Sequence, residues 1–187
     1  FKDDDFIRDK VPMTKEEIRH LSISKLKLVE NSVVFDIGCG TGSISIEAAA
    51  MSPDIKVYAI ENNPDAVNLT KQNCKKQNLA NVKVIENLAP SGFDNLPVPT
   101  NVFIGGSKGN LREIIQSLAD KKSGMRIVIN AVSLETIAEV SDIADDFNIS
   151  DFEAVCINVG KAKKIGGYHL MQANNPVYIF SFDLQAE

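Results

Sequence analysis

The feature that most constrains this chain is a glycine turn set between a short apolar run and an alanine-rich helical pattern. Val33-Val34-Phe35-Asp36-Ile37 reads as a strand, Gly38-Cys39-Gly40-Thr41-Gly42 as the turn, and Ser43 to Met51 as the helix. A strand that passes through glycines straight into a helix is a βα unit, and such units stack into a parallel sheet. The alternation continues along the chain. Lys56 to Ile60, Val82 to Ile85, Asn101 to Ile104 and Met125 to Asn130 read as further strands. Between them, Asn63 can cap a helix that has Pro64 at its first position. Leu111 to Ala119 reads as another helix, and Leu134, Ile137, Ala138 and Phe147 share one face of a later one. Two final strands, near Phe152 to Val159 and Val177 to Phe182, have no helix between them and must pair antiparallel.

The expected fold is therefore α/β, a doubly wound, seven-stranded, mostly parallel sheet with a C-terminal antiparallel hairpin. Residues 1–187 read as a single domain, with an N-terminal segment and helix over 1–30 and the α/β core over 31–187. In that first helix Thr14 is placed to act as N-cap, Glu17 to complete a capping box, and Met13 and Ile18 to form the hydrophobic staple. It is expected to run to about Val29 with Ile18, Leu21 and Leu28 inward.

Composition narrows the function classes. The 187 residues are 44% hydrophobic and 24% charged, as in an ordinary soluble protein. A net charge of −5 argues against a chain that holds nucleic acid by bulk electrostatics, so no nucleic-acid partner is expected. Cys39, Cys74 and Cys156 are odd in number and far apart, without a CxxC or Cys/His cluster. Neither a disulfide framework nor a metal site follows, and a reducing cytoplasm is the expected location. The sequence shows no signal-peptide pattern and no apolar run of membrane-spanning length, so no membrane partner is expected.

Glycines after a strand let the backbone approach a ligand closely, and the following helix offers unpaired N–H groups. The second strand ends at Glu61, whose carboxylate can accept hydrogen bonds from both hydroxyls of a ribose. A dinucleotide fingerprint needs Gly-x-Gly-x-x-Gly, and its sixth position here is Ser43. The glycines follow Gly-x-Gly-x-Gly instead, with Asp36 two positions ahead of the first. That arrangement resembles motif I of the class I methyltransferases. The resemblance implies S-adenosylmethionine as cofactor, with Asp36, Gly38, Cys39, Gly40, Thr41 and Gly42 around its methionine part and Glu61 on its ribose. A side chain at Gly40 is expected to enter the ligand's space.

A narrower resemblance covers nearly the whole chain. Val11-Pro12-Met13-Thr14-Lys15-Glu16-Glu17-Ile18-Arg19, Ala89-Pro90, Gly105-Gly106-Ser107, Leu134-Glu135-Thr136 and Asn175-Pro176-Val177 resemble the decarboxylating cobalt-precorrin-6B methyltransferases. That family methylates carbon 15 of a cobalt-precorrin, a tetrapyrrole, and removes carbon dioxide from a neighbouring acetate arm in cobalamin biosynthesis; its members assemble as tetramers. The resemblance implies that Thr14 and the Ala89 backbone contact the methyl donor. Asn87-Leu88 departs from the family, which often has Asp before the Ala-Pro pair, and Glu61 replaces the commoner Asp.

An electron-rich tetrapyrrole carbon needs alignment with the methyl group more than it needs a protein base. The sequence is consistent with that, because the position after the fourth strand carries small residues, Gly105, Gly106 and Ser107, where amino-methylating enzymes carry Asn/Asp-Pro-Pro-aromatic. Lys161, Lys163 and Lys164 occupy the link between the last two strands, expected as a basic, glycine-hinged loop over the mouth of the site that attracts substrate carboxylates. His169 and Ser107 are the candidate catalytic side chains, and Asn174 is a candidate substrate contact. Three other classes compete: a methyltransferase for RNA, protein or another small molecule, a nicotinamide oxidoreductase, and a non-catalytic scaffold.

Overall fold

The apolar runs lack alternation because the strands are covered on both faces. Along β1 (Val33–Ile37), β4 (Asn101–Ile104) and β5 (Met125–Ala131), successive side chains leave the sheet on opposite sides. Phe35, Ile37, Val102, Ile104, Ile127 and Ile129 pack with Leu111, Ile114 and Leu118 of α4 (Leu111–Ala119) and Val140 and Ile143 of α5 (Leu134–Asp146). On the other side Val34 meets Ala48 and Ala49 of α2 (Ser43–Met51), while Phe103 and Val128 meet Ile18 and Leu26 of α1 (Glu16–Leu26). These statements come from a computed structural model, which describes residues 1–186.

The main sheet has seven strands in the order β3-β2-β1-β4-β5-β9-β6, where β2 is Lys56–Glu61, β3 Val82–Glu86, β6 Ile149–Ile157 and β9 Val177–Leu184. The first five strands pair in parallel, and β9 is antiparallel to both β5 and β6. From β1 the chain winds outward to β2 and β3, then returns to β4 and winds the other way. A crevice opens where that direction reverses, beyond the carboxyl ends of β1 and β4. The expected α/β architecture and the antiparallel pairing of the last strands are present. Asn63 caps α3 (Pro64–Lys76) as expected, its Oδ1 accepting from the Asp65 N–H at 3.0 Å.

Four expectations are corrected. Thr14 does not cap α1, because the helix begins later, after Lys15, and no side chain of its own caps it. Asp3 takes the task instead, its Oδ1 accepting from the Glu16 N–H at 2.9 Å, and Glu17 turns outward to an ion pair with Lys161 at 2.8 Å. A carboxylate delivered by tertiary structure outcompetes the local hydroxyl. Second, α1 ends at Leu26 with Lys27 in the left-handed region, short of Val29. Third, Leu134 and Ala138 face out, Leu134 being 79% exposed; Val140 and Ile143 carry the inward face of α5.

The fourth correction concerns the link between the last two sheet strands. It is not a loop but a separate antiparallel ribbon of β7 (Gly160–Ile165) and β8 (Tyr168–Ala173), joined through Gly166-Gly167. Two glycines can take the positive φ that tight hairpin turns demand, and Gly166 stands at φ +60°. Every residue of both ribbon strands is exposed.

The segment before α1 is tied down by a buried arginine. Arg19, with no solvent exposure, donates from Nε to Glu47 of α2 at 3.0 Å. Its Nη1 donates to Asp3 at 3.1 Å and to the Thr14 carbonyl at 2.9 Å. The guanidinium also lies over the Phe6 ring, 4.7 Å from its centroid. Fully satisfied in this way, a buried charge becomes a clasp that holds residues 1–15 across the top of β1.

Candidate functional site

The crevice at the carboxyl ends of β1 and β4 is a cleft of about 640 Å³. Of the residues singled out from sequence, Thr14, Gly38, Cys39, Gly40, Glu61, Ala89, Gly105, Gly106, Ser107 and Asn174 line it. Asp36 at the end of β1, Thr41 and Gly42 at the end of the turn, and Lys161, Lys163, Lys164 and His169 do not line it.

The turn itself is held from below and from the side. The N–H groups of Gly38 and Cys39 donate to the Ile60 carbonyl at 2.9 and 3.3 Å. A Cβ on Gly38, at φ +69°, would lie 2.5 Å from the Gly106 carbonyl oxygen, so the turns after β1 and β4 touch backbone to backbone. Gly40, at φ +56°, is required for a different reason than expected. Its Cβ would meet the Pro12 carbonyl at 2.9 Å, not the open cleft. Residues 11–14 occupy that side because Arg19 pins them there. Gly106 has nothing within 4 Å of its would-be Cβ, which leaves the β4 side of the cleft roomy.

Asp36 is fully buried, and its Oδ2 accepts from both the N–H and the hydroxyl of Ser45 in the first turn of α2. Among the described residues its other oxygen, Oδ1, has no partner, and neither has the buried hydroxyl of Thr41. Burial lifts the Asp36 carboxyl to about 7, against the Ser45 bonds that pull it down, and the charge of Glu61 adds to the rise. Asp36 therefore supports the turn from underneath rather than touching the cleft. Burial likewise pushes the Cys39 thiol well above its ordinary value, and its sulfur lies 3.5 Å from the Thr70 hydroxyl.

Glu61, 9% exposed, faces the glycine turn across the cleft. Its Oε2 accepts from the Gly40 N–H at 3.1 Å, and its Oε1 from the N–H groups of Asn62 and Asn63 at 2.9 Å each. A carboxylate offers about four lone-pair sites. Three are taken here, so the geometry leaves one on Oε2 for a ligand hydroxyl, where the sequence suggested two. A concave pocket with one buried carboxylate, a backbone turn and the Ala89 corner after β3 fits a nucleoside whose sugar needs an acceptor.

The other end of the cleft has a different chemistry. Val132, Val159 and Val177 line it together with the amide side chains of Asn130, Asn174 and Asn175. Sequence reasoning missed Asn130. The available signal was a polar residue near the carboxyl end of an apolar parallel strand, the same signal that singled out Glu61. Lys15 and Lys108 also line the cleft.

The ribbon stands beside this end, joined to the wall at Val159 and Asn174, where the Asn174 N–H donates to the Val159 carbonyl at 2.8 Å. Directly paired residues of an antiparallel ribbon share a face. Lys161, Lys163 and Ile165 thus share one with Gln172, Leu170 and Tyr168, and Ala162 and Lys164 share the other with Met171 and His169. The Lys161–Glu17 ion pair turns the first face toward α1. His169 lies on the far face, so its expected role in proton transfer finds no support within one subunit. Among the described residues there is no cluster of metal-ligating side chains and no helix long and apolar enough to cross a membrane.

Comparison with known proteins adds a family to this geometry. Residues 4–183 match the model of the precorrin methyltransferase domain. Probable cobalt-precorrin-6B C(15)-methyltransferases (decarboxylating) of Methanocaldococcus jannaschii and Sulfurisphaera tokodaii are 41% and 40% identical to the chain. Each alignment covers 95% of this chain, with 94% and 93% of the respective relative. The crystal structure of a precorrin-6y C5,15-methyltransferase from Geobacter metallireducens superposes with a TM-score of 0.90 at 41% identity, covering 97% of this chain and 94% of that one.

Proposed function

Because this chain belongs to the precorrin methyltransferases, we propose that it methylates carbon 15 of a cobalt-precorrin from S-adenosylmethionine, with loss of carbon dioxide from an acetate arm, in cobalamin biosynthesis in the cytoplasm. The observation that carries the reading is the two-ended cleft. One end has a carboxylate and a backbone turn suited to a nucleoside, and the other is open, partly apolar and rich in neutral amides.

When bound, S-adenosylmethionine supplies a methyl carbon made electrophilic by its sulfonium. In this reading Glu61 Oε2 accepts from the ribose, Ala89 borders the adenine, and Gly38, Cys39, Gly40 and Thr14 enclose the methionine part. Asp36 ties the end of β1 to α2 beneath the turn, and Thr41 and Gly42 complete the turn itself. Gly105, Gly106 and Ser107 leave room for a flat ring beside the methyl group, and Asn174 borders its edge. Lys161 and Lys163, on the ribbon face turned toward α1, attract the peripheral carboxylates as the substrate approaches; Lys164, on the other face, adds only to the general field. The protein's contribution is alignment, since the macrocycle is its own nucleophile.

The ribbon also supports a homotetramer. An isolated two-stranded ribbon is marginal in water, yet this one exposes Tyr168 at 75% and Met171 at 70%. Packing of the Met171 face against other copies would bury that half of the exposed surface. Light scattering should report four chains, and replacing residues 160–173 by a short turn should lower that number while donor binding persists.

The direct test is mass analysis of a cobalt-precorrin incubated with the protein and S-adenosylmethionine. Gain of one methyl group together with loss of one carbon dioxide is expected. Binding of the donor without either change would exclude the substrate named here.

A further inference from the structure

Asn130 sits next to the last residue of β5, at the carboxyl end where the cleft opens, in a strand otherwise apolar apart from Arg126. It meets Ser22, a fully buried residue of α1. The Ser22 oxygen lies 2.8 Å from the Ile18 carbonyl, 3.0 Å from Asn130 Nδ2 and 3.1 Å from Asn130 Oδ1. A hydroxyl has a single hydrogen. Its shortest acceptor is the Ile18 carbonyl, one turn back along its own helix. The hydroxyl oxygen is then left to accept, and only Nδ2 can donate to it. The contact anchors the amide: one N–H is committed to Ser22, while the second N–H remains for a ligand.

The surroundings say what kind of ligand. Val132, Val159 and Val177 line the cleft with Asn130; Lys15 and Lys108 border it as well, and among the described residues that line it the only carboxylate is Glu61. A neutral N–H donor in a partly apolar wall orients a carboxylate without the stronger stabilisation an ammonium or guanidinium would give it. For a carboxylate that must leave as carbon dioxide, weaker stabilisation of the charged form is the useful kind.

We propose that Asn130, oriented by the buried Ser22 hydroxyl, hydrogen-bonds a carboxylate arm of the tetrapyrrole and so sets how the ring lies in the cleft, with Ser22 as a positioning residue. This rests on the substrate class proposed above. Asn130→Asp keeps the shape and sets a charge against a charge. The KM for the cobalt-precorrin should rise at least tenfold while the affinity for S-adenosylhomocysteine, measured by calorimetry, stays within twofold. The penalty should shrink as pH falls toward the carboxyl range, because a protonated acid is again a donor; wild type measured in parallel corrects for titration of the substrate. Ser22→Ala should raise the same KM about threefold and leave kcat less affected, and Ser22→Thr should restore it.

The outcomes separate. If wild type binds S-adenosylhomocysteine but converts no cobalt-precorrin, the substrate assignment fails and this inference falls with it. If wild type turns over and Asn130→Asp keeps the wild-type KM at neutral pH, the substrate assignment stands and the role of Asn130 is wrong. If Ser22→Ala fails to fold, the Asn130→Asp pH profile still decides.

Discussion

The glycine turn after β1 and the β7–β8 ribbon are both glycine-dependent and close to the cleft, yet they are opposites in how they are held. The turn is fastened by two bonds to the Ile60 carbonyl, by the Thr70 hydroxyl donating to the Gly40 carbonyl and by close backbone approach of Gly106, while Asp36 ties β1 to α2 beneath it. The ribbon is exposed along both strands, and the Lys161–Glu17 pair ties it to α1. The difference separates two tasks. In the proposed reading a small ligand of constant shape meets a pocket finished within one chain, whereas a bulky ring, or a second subunit, meets a surface that the chain alone leaves uncovered.

That comparison can be broken most severely at Gly38. Valine there must adopt φ +69° and collide with the Gly106 carbonyl, so Gly38→Val should lose roughly 3–5 kcal/mol of stability from strain and overpacking together. Denaturant unfolding would show it, and donor binding should fall at least tenfold in whatever fraction stays folded. A valine that left both intact would mean the two turns are not in contact.

The next effect is a pH dependence carried by Asp36. Its folded pKa, about 7, lies above the ordinary value of 3.8, so the folded state holds the proton more tightly than the unfolded chain. The stability from this group is full below about pH 4 and lost as pH rises through 7, a swing of up to about 4 kcal/mol. Asp36→Asn removes the titration. Relative to wild type, the variant should be more favourable at pH 8 than at pH 5, and equal differences at the two pH values would contradict the buried, half-partnered carboxyl.

Glu61→Ala comes third. It deletes the acceptor for three backbone N–H groups and the one proposed for the ribose, and should weaken S-adenosylmethionine by roughly 1–3 kcal/mol. Normal binding by calorimetry would remove Glu61 from the ribose. The smallest effect belongs to the ribbon, where Lys161→Ala breaks an exposed ion pair and should change unfolding free energy by no more than about 0.5 kcal/mol. A larger loss would show that the ribbon is fastened more firmly than its exposure indicates.

Legibility followed the range of the interactions. The turn and Glu61 could be read from sequence because strand, glycines, helix and terminal acid are neighbours along the chain. The same end-of-strand reasoning applied to β5 would have found Asn130. Gly166-Gly167 between two strand-length runs was a hairpin signal too, masked because lysines filled the positions where apolar residues would mark strands. The cap of α1 was misread for the opposite reason. Thr14 and Glu17 form a local pattern, but Asp3, thirteen residues before Glu16, supplies the acceptor.

By itself the sequence determined the succession of the main sheet's strands and the helices between them, the pocket's glycines and the acid beside them, since hydrophobic period and turn chemistry act over a few residues. Only the tertiary structure decided why each glycine is needed, which acid is buried and which faces the cleft, and which lysines share a face of the ribbon. Those answers depend on contacts between segments far apart in the chain. Arg19 shows the reason most clearly: its charge has meaning only once Asp3, Thr14 and Glu47 have been brought around it.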